Sequence, residues 1–192
     1  MPTALVVLAP GVEEIELITV ADVLVRAGVA VTIAATTPAP VVAGSRGLPL
    51  GAHTLLDLVG ERSFDLVYLP GGTGSAEVCT QDARVQDLAE RQLVSGGLLA
   101  VICAAPLALV PRRLCAGRRL TSFPAVRAQL EPHCAAWLDQ AVVDDGPLVT
   151  SQGAGTALHL AYHLARRLCG QASADQVMER MVVRPFAFGA SA

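Results

Sequence analysis

The sequence predicts an α/β fold in which a mainly parallel sheet is doubly wound, with helices on both faces. Three observations carry this. Hydrophobic residues make up 53% of the 192 residues and charged ones only 16%, the apolar excess that a sheet buried on both faces requires. Short continuous apolar runs alternate with segments of helical spacing. No linker, repeat or low-complexity stretch interrupts that alternation, so residues 1–192 read as one domain, long enough to bury a full core.

Taken in order, the β-branched and apolar run Thr3–Ala9 reads as a buried strand. Glu13–Ala27 has helical spacing through Ile15, Ile18, Ala21, Leu24 and Val25, with Gly28 as the stop signal. Val29–Thr36 returns to strand. Val41–Ala52, with its Gly, Ser and Pro, forms a small hairpin or an irregular excursion. Phe64–Leu69 is a short buried strand that ends at Pro70-Gly71-Gly72, and Asp82–Val94 is an amphipathic helix. Leu98–Ile102 is a further buried strand and runs into a helix from about Ala105. Beyond Gly117 the pattern weakens. Arg119–Ser122, Ala141–Val143 and Leu148–Ser151 read as short strands, Thr156–Cys169 as a helix capped by Thr156, and Ala174–Val182 as a last helix.

Several function classes drop out on composition. Net charge is -3 with the basic residues scattered, so no stripe suggests nucleic acid. The amino end lacks the basic leader of a secretory peptide, and the uncharged stretch from Gly96 to Pro111 is broken by glycines and Pro106. A cytoplasmic protein without membrane attachment is expected. The five cysteines, Cys79, Cys103, Cys115, Cys134 and Cys169, form neither a disulfide framework nor a CxxC pair, and they read as reduced thiols. His159 and His163 are four apart on a helix, but Arg166 and Arg167 share much of that face and no third ligand follows. No metal is expected. Trp137 and Tyr162 read as core or interface.

Chemistry concentrates at Cys103. The residue stands where a buried strand stops, and Ala104, Ala105 and Pro106 lead into the next element. Such an elbow presents the side chain at the carboxyl edge of the sheet. A following helix would offer free N–H groups and a positive dipole end, both of which favour the thiolate. Gly71 and Gly72 follow another buried strand onto the same edge, where their N–H groups could hold an oxyanion. Glu13, Glu14 and Glu16 start from that rim as well. Glu13 and Glu14 suit a first helical turn as dipole partners. Glu16, between Ile15 and Leu17, is expected to be partly buried with a raised pKa, able to hydrogen-bond the thiol and shuttle a proton.

At Glu16, Pro70-Gly71-Gly72 and Ile102-Cys103-Ala104-Ala105-Pro106 the chain resembles the ThiJ/PfpI superfamily, and within it a bacterial-type member of the parkinsonism-associated deglycase branch (DJ-one). The likeness also takes in the leader Leu8–Glu16, the Gly44-Ser45-Arg46 segment and the Thr150–Thr156 run. It implies a flavodoxin-like fold, a homodimer with contacts that include Glu13, Asp22 and Arg26, and an oxidisable nucleophile at Cys103 hydrogen-bonded by protonated Glu16. It implies glyoxalase activity without a cofactor, repair of glycated proteins or nucleotides, or chaperone and oxidative-stress roles. One departure matters: members with a Glu-Cys-His set carry a histidine where this chain has Phe123, before Pro124. Ala104 likewise stands where the family's proteases have a histidine, which argues against proteolysis.

The expected function is therefore a cysteine-dependent glyoxalase or deglycase acting on methylglyoxal, glyoxal and their adducts. Cys103 would be the nucleophile, Glu16 the proton carrier, and Gly71, Gly72 and Ala104 the oxyanion and substrate-binding donors. The alternative is a non-enzymatic oxidative-stress sensor or chaperone built on the same cysteine.

Overall fold

The computed structural model describes residues 1–184. Six parallel strands and one antiparallel edge strand form the central sheet, in the order β10-β11-β7-β6-β1-β2-β5. Its centre is made by the apolar runs: β1 (Thr3–Leu8), β6 (Leu66–Leu69) and β7 (Leu98–Ile102), all but fully buried along their length. Alternate residues of β1 enter opposite layers. Ala4, Val6 and Leu8 pack into one core with Leu17, Val20 and Leu24, while Leu5, Val7 and Ala9 pack into the other with Val85, Leu88 and Ala89. Burial on both faces is why these strands read as continuous apolar runs rather than as alternating ones.

On the first face lie α1 (Glu14–Arg26), α5 (Ala157–Cys169) and α6 (Gln171–Arg180), and on the second α3 (Ala83–Val94). The strands β2 (Ala30–Ala35) and β5 (Thr54–Leu55) extend the sheet beyond β1. On the other side β11 (Leu148–Ser151) pairs with β7, and β10 (Val142–Asp145) closes the edge antiparallel to β11. The chain leaves β1 towards β2 on one side and later returns to β6 on the other. Successive connections thus diverge between β1 and β6, the kind of position where open α/β sheets hold ligands.

The excursion at Val41–Ala52 is a hairpin, β3 (Val41–Ala43) against β4 (Pro49–Gly51). Thr73–Gln81, to which the sequence reading assigns no element, is a further helix, α2, with Gly72 as its N-cap. Two expectations need correction. The helix expected from Ala105 is only a 3-10 turn over Ala105–Leu109. Pro106 stands in the first turn, where a missing N–H costs nothing, and the backbone is still helical at Val110, so the turn ends where Pro111 can supply no N–H to carry it on. Arg119–Leu120 (β8) does not join the main sheet but pairs in parallel with Ala136–Trp137 (β9), with the short helix α4 (Arg127–Leu130) between them. No described helix is long and apolar enough to cross a membrane.

Candidate active site

Four strand ends meet at one place. The β1–α1 connection brings Glu16, the end of β6 brings Gly71 and Gly72, the end of β7 brings Cys103, and the end of β11 brings Gly153. Of these, Glu16, Gly72, Cys103 and Gly153 line a cleft of about 1350 Å³, with Gly71 just behind it.

Cys103 has a left-handed backbone, with φ of +63°. For a residue with a side chain that conformation costs on the order of 1–3 kcal/mol and persists only where the surroundings impose it. They do so on both sides: the Cys103 N–H donates to the Ser151 carbonyl at 3.0 Å, and the Cys103 carbonyl accepts the Phe123 N–H at 2.8 Å. The strained turn aims the sulfur into the cleft, where the backbone N–H groups of Gly72 and Ala104 point at it.

Glu16 is fully buried on the inner face of α1. Its helix starts cleanly because the Glu13 carboxylate caps it, accepting the Glu16 N–H at 2.9 Å. Tyr68, also fully buried, donates its hydroxyl to the Glu16 carbonyl at 3.1 Å. The Glu16 carboxyl uses one oxygen, Oε2, to accept the Gly71 N–H at 2.8 Å. The other, Oε1, has no hydrogen-bond partner, and the Cys103 thiol lies beside it without closing a bond of normal geometry. Gly71 is required by this packing. A methyl in place of its hydrogen would sit 2.5 Å from Cys103 Cβ, 2.6 Å from Glu16 Oε2 and 2.7 Å from the Ile102 carbonyl.

Burial raises the Glu16 carboxyl to about 7, against the pull of the Cys103 thiol and the Gly71 N–H. Burial, with the Glu16 charge adding to it, pushes the Cys103 thiol up to about 12, while the Gly72 and Ala104 N–H groups draw it down. The expected helix is not there to favour the thiolate, since only a 3-10 turn follows the cysteine, and burial outweighs the two N–H groups. What the site offers instead is a shared proton. With the proton on Glu16, the carboxylate charge that opposes the thiolate is gone, and the unpartnered Oε1 is free to carry that proton.

All five residues singled out from the sequence, Cys103, Glu16, Gly71, Gly72 and Ala104, therefore converge. Glu14 does something else. Its carboxylate accepts from the Ser45 hydroxyl at 3.0 Å, the Arg46 N–H at 2.7 Å and the Leu48 N–H at 3.4 Å, fastening the β3–β4 turn to the rim of the cleft. The sequence carried no signal for that clamp beyond Gly44, where a side chain would collide with Glu14. Thr156 also differs from expectation. Its hydroxyl holds Gly153 and Ser151 rather than capping α5. His163 bonds Asp144 at 2.7 Å, Asp144 also takes Arg167, and His159 is exposed. No group of three possible metal ligands occurs among the described residues. Trp137 donates to Ser122 at 2.9 Å and stacks on Arg127, and Tyr162 donates to Asp175.

The sequence pattern of the DJ-1/PfpI family matches residues 2–167. The chain belongs to the DJ-1/PfpI family. Protein dj-1beta of Drosophila melanogaster is 41% identical to it over 181 residues, 94% of this chain and 97% of that one. The Caenorhabditis elegans protein named glutathione-independent glyoxalase DJR-1.2 is 32% identical over 178 residues, 92% of this chain and 94% of that one. The crystal structure of Drosophila DJ-1beta superposes with a TM-score of 0.93 at 40% identity, covering 95% of this chain and 98% of that one. The DJ-1/PfpI fold is thus the flavodoxin-like α/β arrangement described above, as the resemblance implied. Phe123 stands at the cleft in this member, half-exposed beside the strand end that carries Cys103.

Proposed function

We propose that this DJ-1/PfpI protein is a single-domain, cytoplasmic glyoxalase or deglycase that converts 2-oxoaldehydes, free or as adducts, to 2-hydroxy acids. The observation that carries this reading is the pairing of a strained cysteine elbow with a buried carboxyl of raised pKa, beneath two N–H groups aimed at the sulfur. A relative named a glyoxalase supports it.

The chemistry balances with these groups and water alone. The thiol proton passes to Glu16, and the Cys103 sulfur adds to the aldehyde carbon. The Gly72 and Ala104 N–H groups hold the oxyanion until Glu16 protonates it, giving a hemithioacetal. The Glu16 carboxylate then takes the proton from that carbon and returns one to the neighbouring carbonyl carbon, while the hemithioacetal hydroxyl proton passes through water to the second oxygen, which leaves a thioester of the 2-hydroxy acid. Water hydrolyses the thioester, frees the acid and restores the thiol. One carbon is oxidised and its neighbour reduced, so no external oxidant is needed. Phe123 cannot transfer a proton, so Glu16 and water carry every transfer.

The test is loss of methylglyoxal and appearance of lactate in metal-free buffer. Cys103→Ser should abolish turnover and Glu16→Gln should lower it by roughly a hundredfold or more. Activity equal to the no-protein control in all three proteins would reject the reading.

A second reading has an observation of its own: the same N–H groups, with an unpartnered Glu16 Oε1, suit the oxygens of an oxidised sulfur. Two equivalents of peroxide would convert the thiol to a sulfinate with release of two waters. Selective gain of two oxygens at Cys103 in mass spectrometry, without carbonyl turnover, would favour this sensor role.

A further inference from the structure

The cleft lining is of two kinds. One is polar, with the Glu13 and Glu77 carboxylates, Arg46, Thr73 and Gln152. The other is apolar, built from Leu107, Val110, Pro111, Phe123, Pro124 and Val126. Phe123 comes close to the sulfur. A methyl placed on Gly153 would lie 3.8 Å from its ring and 4.0 Å from Cys103 Sγ, so ring and nucleophile flank one point. The ring is nevertheless 46% exposed.

Its position is fixed. The Phe123 N–H is held by the carbonyl of Cys103 itself, and its own carbonyl accepts the Val126 N–H at 3.0 Å. Pro124 confines Phe123 to the extended backbone it has, with φ of -55° and ψ of 129°. A large apolar side chain locked open at a reacting centre is an unfilled contact. Water gains nothing from it, whereas a second ring placed against it gains burial and edge or face packing.

We infer that Phe123 is a specificity-determining residue and that the preferred substrates are uncharged 2-oxoaldehydes with an aromatic or bulky apolar substituent. The inference rests on the carbonyl chemistry proposed above. With the aldehyde carbon at Cys103 and the oxygen towards Gly72 and Ala104, the substituent on the second carbonyl has room along the Phe123 wall. Methylglyoxal, whose only side group is a methyl, leaves most of that wall wet. The Glu13 and Glu77 carboxylates outnumber Arg46 in the lining and disfavour an anionic tail.

Phenylglyoxal, which takes up water to give mandelate, tests this against methylglyoxal, which gives lactate. The wild-type kcat/KM should favour phenylglyoxal, and Phe123→Ala should reduce that preference by roughly tenfold, as loss of an apolar pocket contact does. Phe123→Leu should keep part of it. Turnover of methylglyoxal with a preference that Phe123→Ala leaves unchanged would overturn the inference and leave the glyoxalase reading standing. If neither aldehyde turns over, that reading falls, and binding decides the wall separately. The unreactive probes 2-hydroxyacetophenone and hydroxyacetone would be compared by calorimetry on the wild-type and Phe123→Ala proteins. Tighter binding of the aromatic probe, lost in Phe123→Ala, supports the inference; equal affinities overturn it.

Discussion

The proton on the buried Glu16 carboxyl has a thermodynamic signature as well as a chemical one. Burial lifts the Glu16 carboxyl from 4.5 to about 7 in the folded protein. A group raised by folding stabilises the native state fully below its unfolded pKa, and that share is lost as pH rises through the folded value. Between pH 4.5 and pH 8 the wild-type protein should therefore lose about 2–3 kcal/mol of unfolding free energy through this one group. Glu16→Gln cannot ionise and should lose none of it. Urea titrations of both proteins at pH 5 and pH 8 measure the difference. Identical pH dependence in the two would mean that Glu16 is already ionised at pH 5 or is not a buried acid. Ile15, Ile18 and Val25, which read as the apolar spacing of that helix, face outward, whereas Glu16 was legible from its place one turn into the helix beside Leu17 and from the family resemblance. The absence of a partner for Oε1 was not, since it depends on how β6 and β7 place Gly71 and Cys103.

At the scale of elements, the strands that support the site announce themselves. The β1, β6 and β7 segments are apolar at nearly every residue because helices cover both of their faces. What the sequence hid was structure fixed by distant contacts. Thr73–Gln81 is a helix despite Gly74, Ser75 and Thr80, which leave it little apolar periodicity; its packing against the 3-10 turn at Ala105–Leu109 supplies what propensity lacks. The β3–β4 hairpin is a similar case, since its turn is tied to α1 by the Glu14 carboxylate alone among side chains. Burial would raise the Glu14 carboxyl, but the Arg46, Ser45 and Leu48 donors outweigh it and hold the group below 4.5. That sign makes the clamp present above the unfolded pKa and lost as pH falls through the folded one. Glu14→Ala should thus lower stability by about 1–2 kcal/mol, and the Arg46 and Leu48 amides should exchange with solvent at least severalfold faster. Unchanged exchange at both amides would show that the turn holds its shape without Glu14.

The whole molecule raises the question of what covers α1. Its inner face holds Glu16, Leu17, Val20 and Leu24 in the core, while Ile15, Ile18 and Val25 are 55%, 49% and 58% exposed. With Asp22 between them, these outward residues follow a three–four–three spacing, a continuous stripe along one side of the helix. Asp22 pairs with Arg26 one turn on, at 2.6 Å, so the polar member of the stripe is already neutralised. Such a stripe is self-complementary about a two-fold axis, where α1 of one copy meets α1 of another. We propose that the protein is a homodimer through this helix. The proposal has a mechanical consequence, because the residues flanking Glu16 on α1 would be pinned by the partner while Glu16 itself points inward at Cys103. Ile18→Lys places a charge in the middle of the stripe, yet as a half-exposed surface position it should change the stability of an isolated subunit by only about 0.5 kcal/mol. Sedimentation equilibrium should give twice the 19.8 kDa chain mass for the wild-type protein and the single-chain mass for Ile18→Lys. A wild-type protein that sediments as one chain would remove the interface altogether. A variant that stays dimeric would move the interface to another face, and with it the claim that association steadies the helix carrying Glu16.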